Sequence, residues 1–76
     1  MDRQIAQRVI SANVRAEVAR RALRQTEIAA VLNVTQSQVS KRLLGQIPFS
    51  ATELVLLADL LDVAPSAFLD GVGVAA

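Results

Sequence analysis

The sequence contains no cysteine, histidine, tryptophan or tyrosine. Without cysteine there is neither a disulfide framework nor a thiolate site, and without histidine the most common general base and metal ligand is missing. The carboxylates form no paired motif, and no glycine-rich phosphate loop occurs. The only aromatic residues are Phe49 and Phe68, which we expect to lie in the core. These absences give no support to an enzyme, a metal site, a cofactor or a small-molecule ligand.

Long apolar runs are also missing. No run reaches the roughly 18 residues that indicate a transmembrane helix, so we expect no membrane association. The polar N-terminus MDRQIAQR does not resemble a secretory signal, which makes a cytoplasmic location the default expectation.

Basic residues are absent beyond Arg42. The first 44 residues contain eight basic and three acidic side chains, a net charge of +5, whereas the remainder has four acidic and no basic ones, a net charge of −4. This asymmetry favours a molecule that turns one face towards a polyanion. The alternative is ordinary solvation of helix surfaces.

With 76 residues, of which 53% are hydrophobic, the chain is long enough for one small folded domain. We predict that this domain spans residues 1–70, and that residues 71–76 form a flexible tail, a short strand across a dimer, or the start of a linker. No internal repeat is visible.

The first predicted helix runs from about Arg3 to Ala22. Ile10, Val14 and Val18 recur every four residues and form its apolar stripe. Beside this stripe lie Ile5, Val9, Ala19 and Ala22. Basic residues cluster at its C-terminal end, where they either complement the helix dipole or reach phosphates.

Residues 25–45 contain two short helical patterns joined by a tight turn. The first, with Ile28 and Leu32 on its apolar side, ends at Asn33, which tolerates the left-handed conformation that a sharp turn requires. The second begins at Thr35 as N-cap and ends before Gly45.

Within the second pattern, Gln38 completes a capping box with Thr35, and Val39 is the predicted buried anchor. Polar side chains surround this anchor on the other faces of the helix. The two patterns together therefore predict a helix-turn-helix.

Another helix is predicted over residues 51–61. Ser50 is its N-cap, Glu53 closes a capping box, and Phe49 is placed to contact Leu54. Its apolar surface is wider than one stripe, which favours a central position or a subunit contact. Pro65 then begins a fifth short helix that ends near Leu69, with Phe68 in the core.

The pattern Gln25-x-x-Ile28-Ala29-x-x-Leu32-Asn33-Val34-Thr35-Gln36-Ser37-x-Val39-Ser40 resembles the helix-turn-helix domains of phage repressor and Cro proteins, the lambda-repressor-like or XRE-like family. The stretch ELVLLADLLDVAPSAFL continues the resemblance, which covers roughly residues 10–69. It implies an all-α fold, a compact bundle of about five short helices. Three residues depart from the family pattern: Asn33 replaces the usual turn glycine, Arg42 stands where the family usually has an apolar residue, and Arg24 replaces a common serine cap. We expect the helix after Arg24 to be capped poorly or by a phosphate.

The resemblance implies that the second helix of the motif enters the major groove of DNA with its N-terminal residues at the base edges. The residues that match the family's base readers are Gln36, Ser37, Ser40 and Lys41. A glutamine pairs with adenine through two hydrogen bonds, and a lysine donates to guanine O6 or N7.

A second set of residues is expected to contact phosphates. In the family the residue matching Gln25 donates to a phosphate at a helix N-terminus. The full set of predicted phosphate contacts is Gln25, Arg24, Thr35, Gln38, Arg42, Gln46 and Arg21.

The expected function is a sequence-specific, double-stranded DNA-binding transcriptional regulator of the phage repressor or Cro type, or its DNA-binding domain, in a bacterial or phage-infected cell. Its partner would be a DNA operator. A homodimer would use helix 51–61, helix 65–69 or the tail; a monomer on asymmetric DNA is the alternative. The competing function is a protein-interaction module of the same fold, such as an antitoxin or anti-repressor partner, that uses the apolar face of helix 51–61.

Overall fold

The computed structural model describes residues 1–72, which form four α-helices and one 3₁₀ helix. The α-helices are α1 (Arg3–Arg20), α2 (Gln25–Leu32), α3 (Gln36–Leu43) and α4 (Ala51–Leu61), and the 3₁₀ helix is Pro65–Leu69. The predicted all-α bundle of about five short helices is therefore confirmed. The tail, for which we predicted a strand across a dimer as one alternative, lies largely outside the described residues.

Each of the five helices contributes one fully buried side chain to a single apolar cluster. These residues are Val14, Ile28, Val39, Leu57 and Phe68, all with 0% exposure. The predictions of Val39 as anchor and Phe68 as core residue are confirmed. Because most helical stability in proteins comes from tertiary packing of the apolar face, this shared cluster stabilises the helices and holds them together.

α1 begins as expected but ends two residues earlier than predicted. Asp2 Oδ1 accepts a hydrogen bond of 2.8 Å from the Ile5 N–H and caps the helix. At the other end Ala22 adopts a left-handed conformation with φ of 49°, and the Leu23 N–H donates to Val18 O at 3.1 Å. This reversal turns the chain so that Leu23 packs against the core. Ile5, by contrast, is 46% exposed and adds nothing to the buried stripe.

α4 has the predicted boundaries and caps. Ser50 Oγ accepts from the Glu53 N–H, and Glu53 Oε1 accepts from the Ser50 N–H, both at 3.0 Å. At its C-terminus Asp62 is left-handed, with φ of 56°. One side of α4 packs into the core, while Val55, Leu56 and Leu60 remain exposed on the other side.

The C-terminal part of the chain is fastened to α1 by Asn13. Its Nδ2 atom donates to Phe68 O at 2.9 Å and to Asp70 O at 2.8 Å. Pro65 occupies the start of the 3₁₀ helix, as predicted. The amide of Asn13 thus holds the segment that inserts Phe68 into the core.

Two kinds of feature are absent from the described part of the chain. Within residues 1–72, no helix is both long and apolar enough to cross a membrane. The same residues contain no group of three or more acidic, histidine or cysteine side chains that is suited to binding a metal ion.

Candidate nucleic-acid interface

The turn between α2 and α3 is built around Asn33. This residue lies in the left-handed region with φ of 56° and ψ of 48°, and the Val34 N–H donates to Ala29 O at 3.1 Å. On either side of the turn, the buried residues Ile28 and Val39 pack in the same core. The predicted left-handed conformation of Asn33 is therefore confirmed, and it suits a sharp turn because this conformation is less costly for asparagine than for most residues.

The start of α3 is closed by the predicted capping box. Thr35 Oγ1 accepts from the Gln38 N–H at 3.1 Å, and Gln38 Oε1 accepts from the Thr35 N–H at 3.2 Å. These bonds satisfy two backbone donors that a helix start leaves without partners. They still leave the Thr35 hydroxyl hydrogen and the Gln38 Nε2 group without a partner among residues 1–72.

The outer surface of α3 carries the predicted base-reading residues. Gln36, Ser37 and Lys41 are exposed, and Ser40 is half-buried. Because they are spaced by one and four residues, the four side chains lie on one face, away from Val39. None of them makes a side-chain hydrogen bond within residues 1–72, so their donors and acceptors are free for a ligand.

The start of α2 is poorly capped, as one of the two alternatives that we expected. Arg24 supplies no capping side chain, and Glu27 Oε1 accepts from the Arg24 N–H at a long 3.4 Å. The sequence reasoning considered only the N-cap residue and missed this glutamate. Gln25 is half-buried at the first position of α2, and the exposed Arg24 guanidinium has no ion pair among the described residues.

Arg21 is partly occupied by another contact. Its guanidinium donates to Glu17 Oε2 at 2.5 Å, and Arg20 contacts the other carboxylate oxygen of the same residue. Both arginines are exposed and the Glu17 side chain is largely buried, so solvent screens the two pairs only in part.

Arg42 occupies an internal position that the sequence did not indicate. Its Nε and Nη2 atoms lie 3.2 Å from the two carboxylate oxygens of Glu53, and its Nη1 donates to Gln38 O at 3.2 Å. The two side chains are only 13% and 16% exposed. The guanidinium therefore joins α3 to α4, which explains how an arginine replaces the usual apolar residue.

The C-terminal end of α3 is held by three polar side chains of α1, which the sequence reasoning missed. Gln7 Nε2 donates to Gly45 O at 2.5 Å, Ser11 Oγ lies 3.1 Å from Arg42 O, and Arg15 donates to Leu43 O. We call Gln7, Ser11 and Arg15 the α1 clamp.

The α1 clamp satisfies carbonyls that a helix end leaves without intrahelical partners, and the positive charge of Arg15 suits the negative end of the α3 dipole. Ser11 is the one buried polar residue of the described chain, with 1% exposure. The signal was present as a polar stripe repeated every four residues, directly beside the apolar stripe of α1.

Gly45 ends α3 with the predicted reversal. Its φ of 78° is left-handed, the Gly45 N–H donates to Arg42 O at 3.1 Å, and the Gln46 N–H donates to Lys41 O at 2.9 Å. This pair of bonds is a Schellman motif. It leaves Gln46 exposed, just beyond the end of α3.

Comparison with known proteins supports the same interpretation of this region. Residues 14–68 match a protein-family model described as Helix-turn-helix. The chain belongs to this family, the DNA-binding helix-turn-helix domains of the lambda-repressor-like or XRE type. Comparisons with curated proteins and with solved structures found no match.

Proposed function

We propose that the chain is a sequence-specific transcriptional regulator of the phage repressor or Cro type, or the DNA-binding domain of one. α3 reads the major groove of double-stranded DNA in the bacterial cytoplasm. The observation that carries this proposal is the row of free polar side chains on the exposed face of α3, directly after the left-handed turn at Asn33. A helix in this position fits the major groove with its N-terminal residues at the base edges.

Direct base contacts come from Gln36, Ser37, Ser40 and Lys41. Gln36 is the first residue of α3 and forms two hydrogen bonds with adenine N6 and N7. Lys41 lies further along the same face and donates to guanine O6 or N7. The serine hydroxyls act as donors or acceptors. A good bidentate contact supplies about 1–3 kcal/mol of discrimination between bases.

Phosphate contacts surround this reading face. Gln25 donates from the N-terminus of α2, where the helix dipole favours an anion. Thr35 and Gln38 donate through the hydroxyl hydrogen and the Nε2 group that the capping box leaves free. Cationic or polar contacts from Arg24, Arg21 and Gln46 complete the set. Arg42, which the sequence placed in this set, is assigned instead to the link between α3 and α4, because each of its three guanidinium nitrogens has an internal partner.

A homodimer on two half-sites is the arrangement that we propose for the bound state, with the exposed side of α4 as the subunit contact. Val55, Leu56 and Leu60 are 55%, 41% and 38% exposed on adjacent turns of this helix. Such a dimer places its two α3 helices about one turn of DNA apart. The same apolar surface is the observation that favours the second candidate, a protein-interaction module that binds another protein instead of DNA.

Selection from a random duplex library tests the main proposal. Wild type and Gln36→Ala are selected in parallel at two salt concentrations, with Ser66→Ala, an exposed change on the 3₁₀ helix, as control. We expect wild type and Ser66→Ala to enrich one short motif, and Gln36→Ala to relax a single position within it. A motif with two-fold symmetry supports the dimer. If wild type binds no duplex even at low salt, the DNA-reading proposal is wrong, and the α4 surface becomes the place to seek a partner.

A further inference from the structure

The N-terminal part of α1 extends beyond the family match. The match begins at residue 14, whereas α1 begins at Arg3, so residues 3–13 add about three helical turns to the matched part. Two exposed arginines, Arg3 and Arg8, lie in this extension. Neither belongs to the set of predicted DNA contacts.

This extension lies against the turn that follows α3. Gln7 donates to Gly45 O at 2.5 Å, and the Cα and Cγ atoms of Arg8 lie 3.9 and 3.8 Å from the position of a Cβ atom built on Gly45. The backbone and the start of the Arg8 side chain thus lie beside the turn, and the residue is exposed. A groove separates the two segments. One wall of the groove belongs to α1 and consists of Arg3, Gln4, Gln7 and Arg8. The opposite wall consists of Leu44, Gln46 and Pro48.

The charge of this groove suits an anion. It contains two arginines and no acidic residue, and neither arginine forms an ion pair within residues 1–72. A second groove, between α1 and the 3₁₀ helix, has the opposite character, because Glu17 and Asp70 outnumber Arg20 there. A polyanion would therefore be attracted to the first groove.

The groove also lies where a DNA backbone is expected if α3 reads bases. α3 has 8 residues and is therefore about 12 Å long, close to the roughly 12 Å width of the major groove. With the start of α3 at the base edges, its C-terminal end meets a phosphate backbone that borders the groove. Gln46, already proposed as a phosphate contact, lies at this end and lines the same groove as Arg3 and Arg8.

We propose that Arg3 and Arg8, together with Gln46, form a second phosphate-binding surface that holds the DNA backbone beside the bases read by α3. The inference rests on the proposed function. This surface adds DNA affinity without sequence preference, because contacts to phosphates carry no base information. The extension of α1 would thereby lengthen the stretch of duplex that one copy of the chain protects.

The salt dependence of DNA binding tests this surface. The double variant Arg3→Gln with Arg8→Gln removes both charges and keeps the Cγ of Arg8 that packs on Gly45. Arg20→Gln is the matched control, an exposed arginine of the same helix beside the acidic groove. Affinities are measured on the selected duplex over a range of salt, after unfolding curves establish that the variants are folded. The slope of log K against log salt should fall by about 0.9 for each phosphate that is no longer neutralised, about 1.8 for the double variant, and stay unchanged for the control.

Ethylation interference then locates the contacts. With wild type, ethylation of phosphates that flank the selected motif should weaken binding; with the double variant, the same phosphates should become insensitive, while the selected motif stays the same. An unchanged slope, or an equal fall for Arg20→Gln, overturns this inference and leaves base reading by α3 intact. If wild type binds no duplex at all, both proposals are wrong, and the two kinds of failure are thereby distinguished.

Discussion

Glu53 Oε1 lies 3.0 Å from the Ser50 backbone nitrogen and 3.2 Å from Arg42 Nε, so one carboxylate both caps α4 and anchors the end of α3. Its other oxygen lies 3.2 Å from Arg42 Nη2, which makes the ion pair bidentate. Bidentate arginine–carboxylate pairs have a defined geometry as well as charge attraction. This contact therefore helps to set the angle between the proposed recognition helix and the rest of the bundle.

We expect Glu53→Gln to lower the free energy of unfolding by about 1–2 kcal/mol, since the cap acceptor remains while the largely buried Arg42 is deprived of its charged partner. Urea unfolding measures the change. The control is a double-mutant cycle with Arg42→Met, in which a coupling of at least about 0.5 kcal/mol is expected for interacting residues. Strict additivity of the two single variants would contradict the assigned pairing.

Ala22→Gly should stabilise the protein by about 0.5–1 kcal/mol. The left-handed conformation of Ala22, with φ of 49°, strains an alanine but not a glycine, and this gain exceeds the extra entropy of an unfolded glycine. For a domain of this size, thermal unfolding should shift upwards by several degrees, at about 4–8 °C per kcal/mol. Ala16→Gly, an exposed change inside α1, is the control and should destabilise by about 1 kcal/mol. A decrease in stability for Ala22→Gly would show that the turn has another conformation.

Because Ser11 belongs to the α1 clamp and Ser37 does not, we expect Ser11→Ala to reduce stability and Ser37→Ala to reduce DNA affinity. Ser11→Ala removes a buried hydroxyl that lies 2.9 Å from Gln7 O and 3.1 Å from Arg42 O, and should cost about 1–2 kcal/mol of stability. Ser37→Ala changes an exposed residue and should alter stability by less than about 0.5 kcal/mol while weakening DNA binding. Unfolding curves and affinity measurements on the two variants check both outcomes. Equal effects on stability would mean that the Ser11 hydroxyl contributes nothing to the stability of the fold.

Arg24 and Arg42 should differ in their contribution to DNA affinity. Arg24 is exposed and has no ion pair among residues 1–72, so Arg24→Gln should lower the salt slope of binding by about 0.9 with little change in stability. Arg42→Gln should reduce stability and leave the slope nearly unchanged, because its guanidinium is internally engaged. Titrations of DNA binding against salt, run with unfolding measurements, test this contrast. A lower slope for Arg42→Gln would return it to the set of phosphate contacts.

If the exposed apolar side of α4 forms the proposed dimer contact, charges introduced there should prevent self-association. Leu56→Lys with Leu60→Lys places two charges on the exposed apolar side and should abolish self-association, as measured by sedimentation with and without DNA. Ala12→Lys adds a charge at an exposed position of α1, outside the proposed subunit contact, and serves as the control. Dimers that persist in the double variant would move the subunit contact away from this surface.

Much of the fold was predictable because its signals are local. Thr35 with Gln38 and Ser50 with Glu53 are capping boxes whose two residues are three positions apart, and all of their bonds formed as predicted. Asn33 and Gly45 end their helices for a similarly local reason, the cost of a left-handed backbone. The row from Gln36 to Lys41 followed from the resemblance, and its roles at the DNA remain predictions.

The relationships that were missed join residues distant in sequence. Arg42 was assigned to a phosphate because nothing near it in the chain shows that Glu53 would fold against it. The residues of the α1 clamp were missed because they lie 28 to 38 positions from their acceptors. The early end of α1 has the same origin, since packing of Leu23 in the core favours a reversal at Ala22 over a further helical turn.

By itself, then, the sequence determined where the helices begin, where those other than α1 end, which faces are apolar, and which family the motif resembles, because helix caps and periodicity act over a few residues. Only the tertiary structure decided which polar side chains form hydrogen bonds or ion pairs within the protein and which remain free for a ligand. A charged group looks the same in the sequence whether it meets a carboxylate across the bundle or projects into solvent. That choice separates Arg42 from Arg24, and it leaves Arg3 and Arg8 exposed beside the end of α3.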